Sequence, residues 1–315
     1  MTTRLRYRLI VLGILLFPFL LFGLFYFSDL AGPPPPPAPA RPVPNGYDDL
    51  VKAGGMVSSN SWHYENLNGD DLQQTAAANA DALALARAAL SNQCQVPLQY
   101  TMAYITNHVN DFIALRRLAR AFAVESRLAE QEGRFRDAAR ADLDTIHLGI
   151  ETAQGGVLLD QMVGTAIESI GTDDLQKLVD RLDSDTSRET ASALQILDAQ
   201  AQSWAQVVQQ EKNWSRRTFP GMRYRLMELI ASGTMKQNLQ KAELKFKDQE
   251  ARRSQLVIDL EKGRPPANPT DVAPADLNTL PPAPAANTNP APAPDTNSPA
   301  AGTHLPVTAT TTNLN

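Results

Sequence analysis

Nineteen consecutive residues without a charge, Leu9 to Phe27 (LIVLGILLFPFLLFGLFYF), constrain this chain more than any other feature. The run matches the ~20 apolar residues that cover a ~30 Å hydrocarbon core, and so predicts a spanning helix. Arg4, Arg6 and Arg8 precede it, and positive residues flanking a first span are retained on the cytoplasmic side. Residues 1–8 are therefore expected inside, 9–27 in the bilayer, and the remainder across a bacterial inner membrane in the periplasm. A cleaved signal peptide is the competing reading, but its apolar region is usually ~7 to 15 residues and ends in small residues. Here the run is longer, and Asp29 stands where a small neutral residue is wanted if cleavage followed Ala31. Pro18 is tolerable in mid-span, and Phe25, Tyr26 and Phe27 suit the exit interface.

Proline marks the next boundaries. Of 23 prolines, eight fall in residues 33–44 and twelve in residues 265–306, leaving only Pro18, Pro97 and Pro220 elsewhere. The unbroken run Pro33 to Pro37, followed by Pro39, Pro42 and Pro44, imposes polyproline II, so residues 28–46 read as a stalk. At ~3.1 Å per residue, residues 33–44 would extend roughly 35 to 40 Å from the bilayer. The segment 264–315 combines proline with Ala, Asn and Thr, and is expected to be disordered because it cannot bury enough apolar surface to offset its ordering entropy. A folded domain is left at residues 47–263.

That domain reads as all-α. Residues 71–90 include TAAANADALALARAAL, rich in helix formers and poor in β-branched residues. After a break at Pro97, a helix from Leu98 to Gln131 carries Phe112, Leu115, Leu118, Ala119, Phe122, Ser126 and Ala129 on one stripe, with Arg116, Arg117, Arg120 and Arg127 mostly off it. Gly133 interrupts it, and Phe135, Ala138, Ala139, Leu143, Ile146 and Ile150 mark the inner face of a helix returning as a hairpin. Residues 155–171, GGVLLDQMVGTAIESIG, predict a central apolar helix in which Gly164 suggests close approach of a neighbour. Asp183, Ser184 and Asp185 supply cap chemistry for a helix bearing Leu194, Leu197, Ala201, Trp204 and Val208. Beyond a Phe219, Pro220, Gly221 turn, two helices are expected, about 222–232 and 234–262. No stretch alternates with period two for long enough to predict a strand, so the bundle is irregular rather than four-helix.

Composition excludes several functions. A formal net charge of -5 without a basic cluster gives nucleic-acid binding no support. The lone Cys94 rules out an internal disulfide and any zinc site built from two thiolates, and reads as a small buried apolar residue. There is no nucleophile elbow, phosphate loop, dinucleotide fingerprint or zinc-protease motif. Gly155-Gly156 is a helix-start turn, since no strand precedes it. Trp204 and Trp214 read as core or interface anchors, and Asn213-Trp214-Ser215 as a chance match to a glycosylation acceptor.

The remaining chemical candidates are two carboxylate and imidazole pairs at three-residue spacing. His108 with Asp111, and Asp144 with His147 (preceded by Asp142), each share a helix face. Converging between helices they would make a four-ligand metal site, although the Glu-x-x-His pattern of carboxylate bundles is absent. No catalytic, cofactor-binding or metal-binding residue is therefore assigned, and no cofactor is expected.

Two resemblances bear on architecture. Phe122, Ser126, Gly133, Phe135 and Ala138 match the spacing of one tetratricopeptide-type hairpin, while Asp142 and Thr145 depart from its later positions and no second copy recurs. The stretches FAVESRLAEQEGRFRDAARADLDTIHLG, GGVLLDQMVGTAIESIG and EKGRPPANPTDVAPADLNTLPPAP, spread over residues 122–284, resemble a loose group of membrane-anchored helical proteins from Planctomycetes and Verrucomicrobia-type bacteria. In that group the last stretch usually begins with a Gly-Arg-Tyr-Pro turn; here proline takes the aromatic's place. The resemblance implies an anchored helical architecture and brings no activity with it. The function expected is a membrane-held scaffold or protein-interaction domain using helical grooves, and the alternative is an envelope hydrolase or metal-dependent enzyme built on the hairpin's acidic and His residues. The sequence does not fix the oligomeric state.

Overall fold

A computed structural model describes residues 12–20, 23, 40–219 and 222–262. Among these residues there are helices and no strands. Residues 1–8, most of the stalk and the segment 264–315 lie outside the described residues, as do Pro220 and Gly221 of the expected turn. Of the 9–27 run, residues 12–20 and 23 are described and helical. No helix among the described residues is long and apolar enough to cross a membrane.

Residues 40–45 are irregular, and α1 (Gly46–Met56) begins where the stalk was expected still to run. Asn45 caps it by accepting from the Tyr47 amide, and Asp48 and Asp49 favour the positive end of the helix dipole. The Ala-rich stretch is helical as expected and folds as two helices, α2 (Gly69–Ala78) and α3 (Ala80–Leu90). The break falls at Asn79, which is fully buried. Its side chain donates to Ser61 Oγ and accepts from the Ser58 amide, both at 2.9 Å, tying down the 3-10 segment Ser59–Asn66.

Helix α4 (Tyr104–Gln131) starts six residues later than the pattern after Pro97 suggested, because residues 98–100 are irregular and 101–103 make a bend and turn. Its predicted stripe is inside: Leu115, Leu118, Ala119, Phe122 and Ala129 are fully buried. Gly133, at φ 74°, reverses the chain into α5 (Phe135–Ala153), a left-handed conformation that glycine adopts without strain. Helices α5 and α6 (Leu158–Leu178) then pack at backbone distance. A Cβ added at Gly149 would lie 2.4 Å from Glu168 Cγ, one at Gly164 would lie 2.5 Å from the Gly149 carbonyl, and one at Gly171 would lie 2.6 Å from the Asp142 carbonyl. The close approach expected of Gly164 is thus made by three glycines.

Asp183 caps α7 (Ser184–Gln200) by accepting from the Asp185 and Thr186 amides. The apolar seam expected to continue to Val208 breaks at Ala201, and Ser203 restarts the chain as α8 (Trp204–Thr218), with Gln206 completing a reciprocal cap. The last helix, α9 (Met222–Lys262), is continuous where two were expected. Gly233 weakens a helix by about 1 kcal/mol without ending it.

Two apolar clusters share the α5 and α6 pair. One joins α1, α3 and the front of α4 around Leu50, Ala86, Leu118 and Phe122. The other joins α5, α6, α7 and α9 around Ile146, Leu175, Leu194 and Leu256.

Candidate functional site

The two carboxylate and imidazole pairs named by the sequence do not form a site. His108 is buried, with its ring 4.4 Å from that of Tyr104 and 5.7 Å from that of Phe112. Its Nδ1 is 3.8 Å from Asp111, and burial pushes its pKa down despite that neighbour, so it is a neutral member of an aromatic core. Asp144 accepts from Arg87 Nε at 2.7 Å, and the same guanidinium holds Glu125 with two further bonds at 3.2 and 2.5 Å. His147 faces Glu151 at 3.6 Å. Asp142 is buried, and desolvation raises its pKa well above the usual carboxylate range. Among the described residues no three His, Cys, Asp or Glu side chains gather to hold a metal ion.

The structure instead buries two acids that sequence reasoning passed over. Asp160 accepts from the Tyr104 hydroxyl at 2.8 Å and from the Val157 amide at 2.7 Å, while burial raises its pKa to about 7. Glu168 pairs with Arg253 of α9, which also reaches Asp198 at 2.8 Å; burial raises Glu168 to about 7 against the pull of the guanidinium. Both acids are 2% exposed or less, so no substrate reaches them and their partners are structural. One signal was available: Asp160, Gly164, Glu168 and Gly171 lie on one helical face, which places the acids on the stripe of close approach.

Among the described residues, seven glutamines line an open cavity of about 700 Å³, a volume within the roughly 300 to 1,000 Å³ of small-ligand sites. Three separate segments supply them. Gln93 and Gln95 follow α3, Gln154 lies in the α5 to α6 turn, and Gln202, Gln206, Gln209 and Gln210 come from α8 and the residues leading into it. Ala40, Arg41 and Pro42 close one side.

The frame holding these segments is well bonded. The Asn45 carboxamide grips Gln95 at both its backbone groups, at 2.9 Å each, and the Gly46 amide donates to the Gln93 carbonyl at 3.0 Å. The Val96 amide donates to the Gln154 carbonyl at 2.9 Å, joining the second segment to the first. Helix α8 is fixed by three contacts: the Gly155 amide to Gln202 Oε1 at 2.8 Å, the Leu158 amide to Glu211 at 2.9 Å, and the Trp214 indole to the Gln99 carbonyl at 2.8 Å. Gly155 is required at φ 70°, where a Cβ would also press within 2.9 Å of Gln95 Cγ.

Little in the cavity wall is charged or reactive. Among the described residues Arg41 is its one ionised side chain, and it is paired with Asp48. Cys94 is its one nucleophile, and burial, reinforced by Glu151, pushes that thiol's pKa up, so it stays protonated. The side chains of Gln93, Gln95, Gln154 and Gln210 make no hydrogen bond among the described residues, and Gln154 Oε1 is shielded from solvent as well. These glutamines carried no recognisable signal in the sequence, because amides on a helix such as α8 read as a solvated face.

No family model, curated protein or solved structure matches the chain.

Proposed function

We propose that this chain is a non-enzymatic binding domain, held at the outer face of a bacterial inner membrane by residues 9–27, with the glutamine-walled cavity as its recognition site. The observation carrying this reading is the chemistry of the wall. Carboxamides donate and accept hydrogen bonds but do not titrate near neutral pH, and they serve neither as general acids and bases nor as nucleophiles. The hydrolase or metal-enzyme alternative loses support because His108 and Asp111 face each other, while Asp144 is held by Arg87 and His147 faces Glu151, so the four do not converge.

Anchoring is supported by residues 12–20, whose large apolar side chains are 51–73% exposed among the described residues. A patch of that kind marks an interaction with lipid or protein, and the three arginines before it favour lipid with the domain outside. A protein partner would find its groove between α6 and α9, a cavity of about 430 Å³ that Met162, Trp204 and Arg252 help to line.

The test is photocross-linking in intact cells with p-benzoylphenylalanine at Gln210, and separately at Lys245 in the second groove. A discrete adduct in the membrane fraction is expected from at least one position. Absence of any adduct at both would overturn the binding-domain reading.

A further inference from the structure

We propose that the glutamine-walled cavity binds an uncharged glycan, reading its hydroxyl groups through carboxamides that the protein leaves unengaged. The inference rests on the binding-domain reading above and adds the ligand's chemical class.

The wall selects by what it lacks. An anionic ligand is met by several cations, and among the described residues the wall has Arg41 alone, shared with Asp48. A cationic ligand needs carboxylates, and none lines the cavity among the described residues. A proline-rich peptide docks on aromatic grooves and an amphipathic helix on apolar ones, whereas this wall holds neither aromatic nor large aliphatic side chains. What remains is a ligand rich in neutral groups that both donate and accept.

Sugar hydroxyls are such groups, and each carboxamide offers two N–H donors and one carbonyl acceptor to meet them. Among the described residues the side chains of Gln93, Gln95 and Gln210 make no hydrogen bond, which leaves that capacity to a ligand. Ala40 and Pro42 supply the small apolar surface on which the C–H face of a pyranose rests. Because Asn45, Gly155 and the α8 contacts already fix the frame, binding requires ordering of a few side chains only, which favours affinity.

The experiment uses the full chain in a detergent without a sugar headgroup, titrated by calorimetry and saturation-transfer NMR with maltotetraose and with the tetramer of N-acetylglucosamine. Saturable binding of at least one is expected. Gln93→Ala and Gln210→Ala should each weaken it by about threefold to tenfold, the factor of roughly one neutral hydrogen bond, with the double variant weaker still. Neither side chain has an intramolecular partner, so melting should be unchanged, and Gln195→Ala on α7 should leave binding intact. Failure of both sugars to saturate, or binding that survives in the double variant, overturns the proposal. So does a cross-linked adduct at Gln210 that proves to be a polypeptide, an outcome that leaves the binding-domain reading standing.

Discussion

Asp160 holds its proton more tightly in the folded chain than in the unfolded one. Burial raises its pKa from 3.8 to about 7, against the opposing hydrogen bonds from Tyr104 and Val157. Between those two values the native state binds more protons than the unfolded state, so stability falls as pH rises through that window and levels off above it. Glu168 acts in the same direction. In Asp160→Asn the carboxamide oxygen keeps both hydrogen bonds while the titration is removed. The variant should show a shallower loss of stability between pH 4 and pH 7 and a higher urea midpoint than the parent at pH 7.5. Parallel profiles for the two proteins would show that Asp160 does not titrate in this range. The sequence left this acid unread for a physical reason. Asp in the first turn of a helix is what the dipole favours anyway, so its position advertised a cap and concealed a buried carboxyl. Cys94, by contrast, is buried as its apolar character suggested.

Among the elements, the docking of α9 rests on a buried charge. Arg253 and Glu168 are 3% and 2% exposed, and both are desolvated in the pair that joins α9 to α6, with Asp198 adding α7. Removing one partner of such a pair leaves a charge without compensation, at about 3 to 5 kcal/mol, whereas replacing both with apolar side chains is often neutral. Arg253→Met should therefore destabilise the domain by about 3 to 5 kcal/mol, and Glu168→Met added to it should restore most of the loss. Denaturant titration of both variants checks this, and a double variant no better than the single one would count against it. Helix existence was legible in the periodic stripes of α4, α5 and α6, and Gly164 announced the close helix approach. Boundaries were not, because they depend on contacts remote in sequence: Asn79 divides α2 from α3 by reaching back to Ser58 and Ser61, and α9 runs through Gly233 as one helix. The cavity was invisible for the same reason, since residues 40–42, 93–95, 154–155 and 202–210 meet only after folding.

For the whole molecule, the proposed anchoring has its largest consequence in the side of the membrane on which it would put the helical domain. Among the described residues, all the large apolar side chains of 12–20 are exposed, whereas Leu115, Leu118 and Phe122 of α4 and Ile146 and Leu148 of α5 are buried. A segment with no polar face gains nothing from resting against water, and the nineteen uncharged residues around it match a hydrocarbon core in length. On the proposed reading Arg4, Arg6 and Arg8 stay inside and the chain exits outward. Alkaline phosphatase fused after Gly263 folds only in an oxidising compartment, and should be active in intact cells. Replacing the three arginines with glutamate should lower that activity, since the flanking charge sets the orientation. An inactive fusion of the unaltered chain would place the cavity in the cytoplasm, away from envelope glycans, while an active fusion insensitive to the arginines would separate export from the charge asymmetry invoked here.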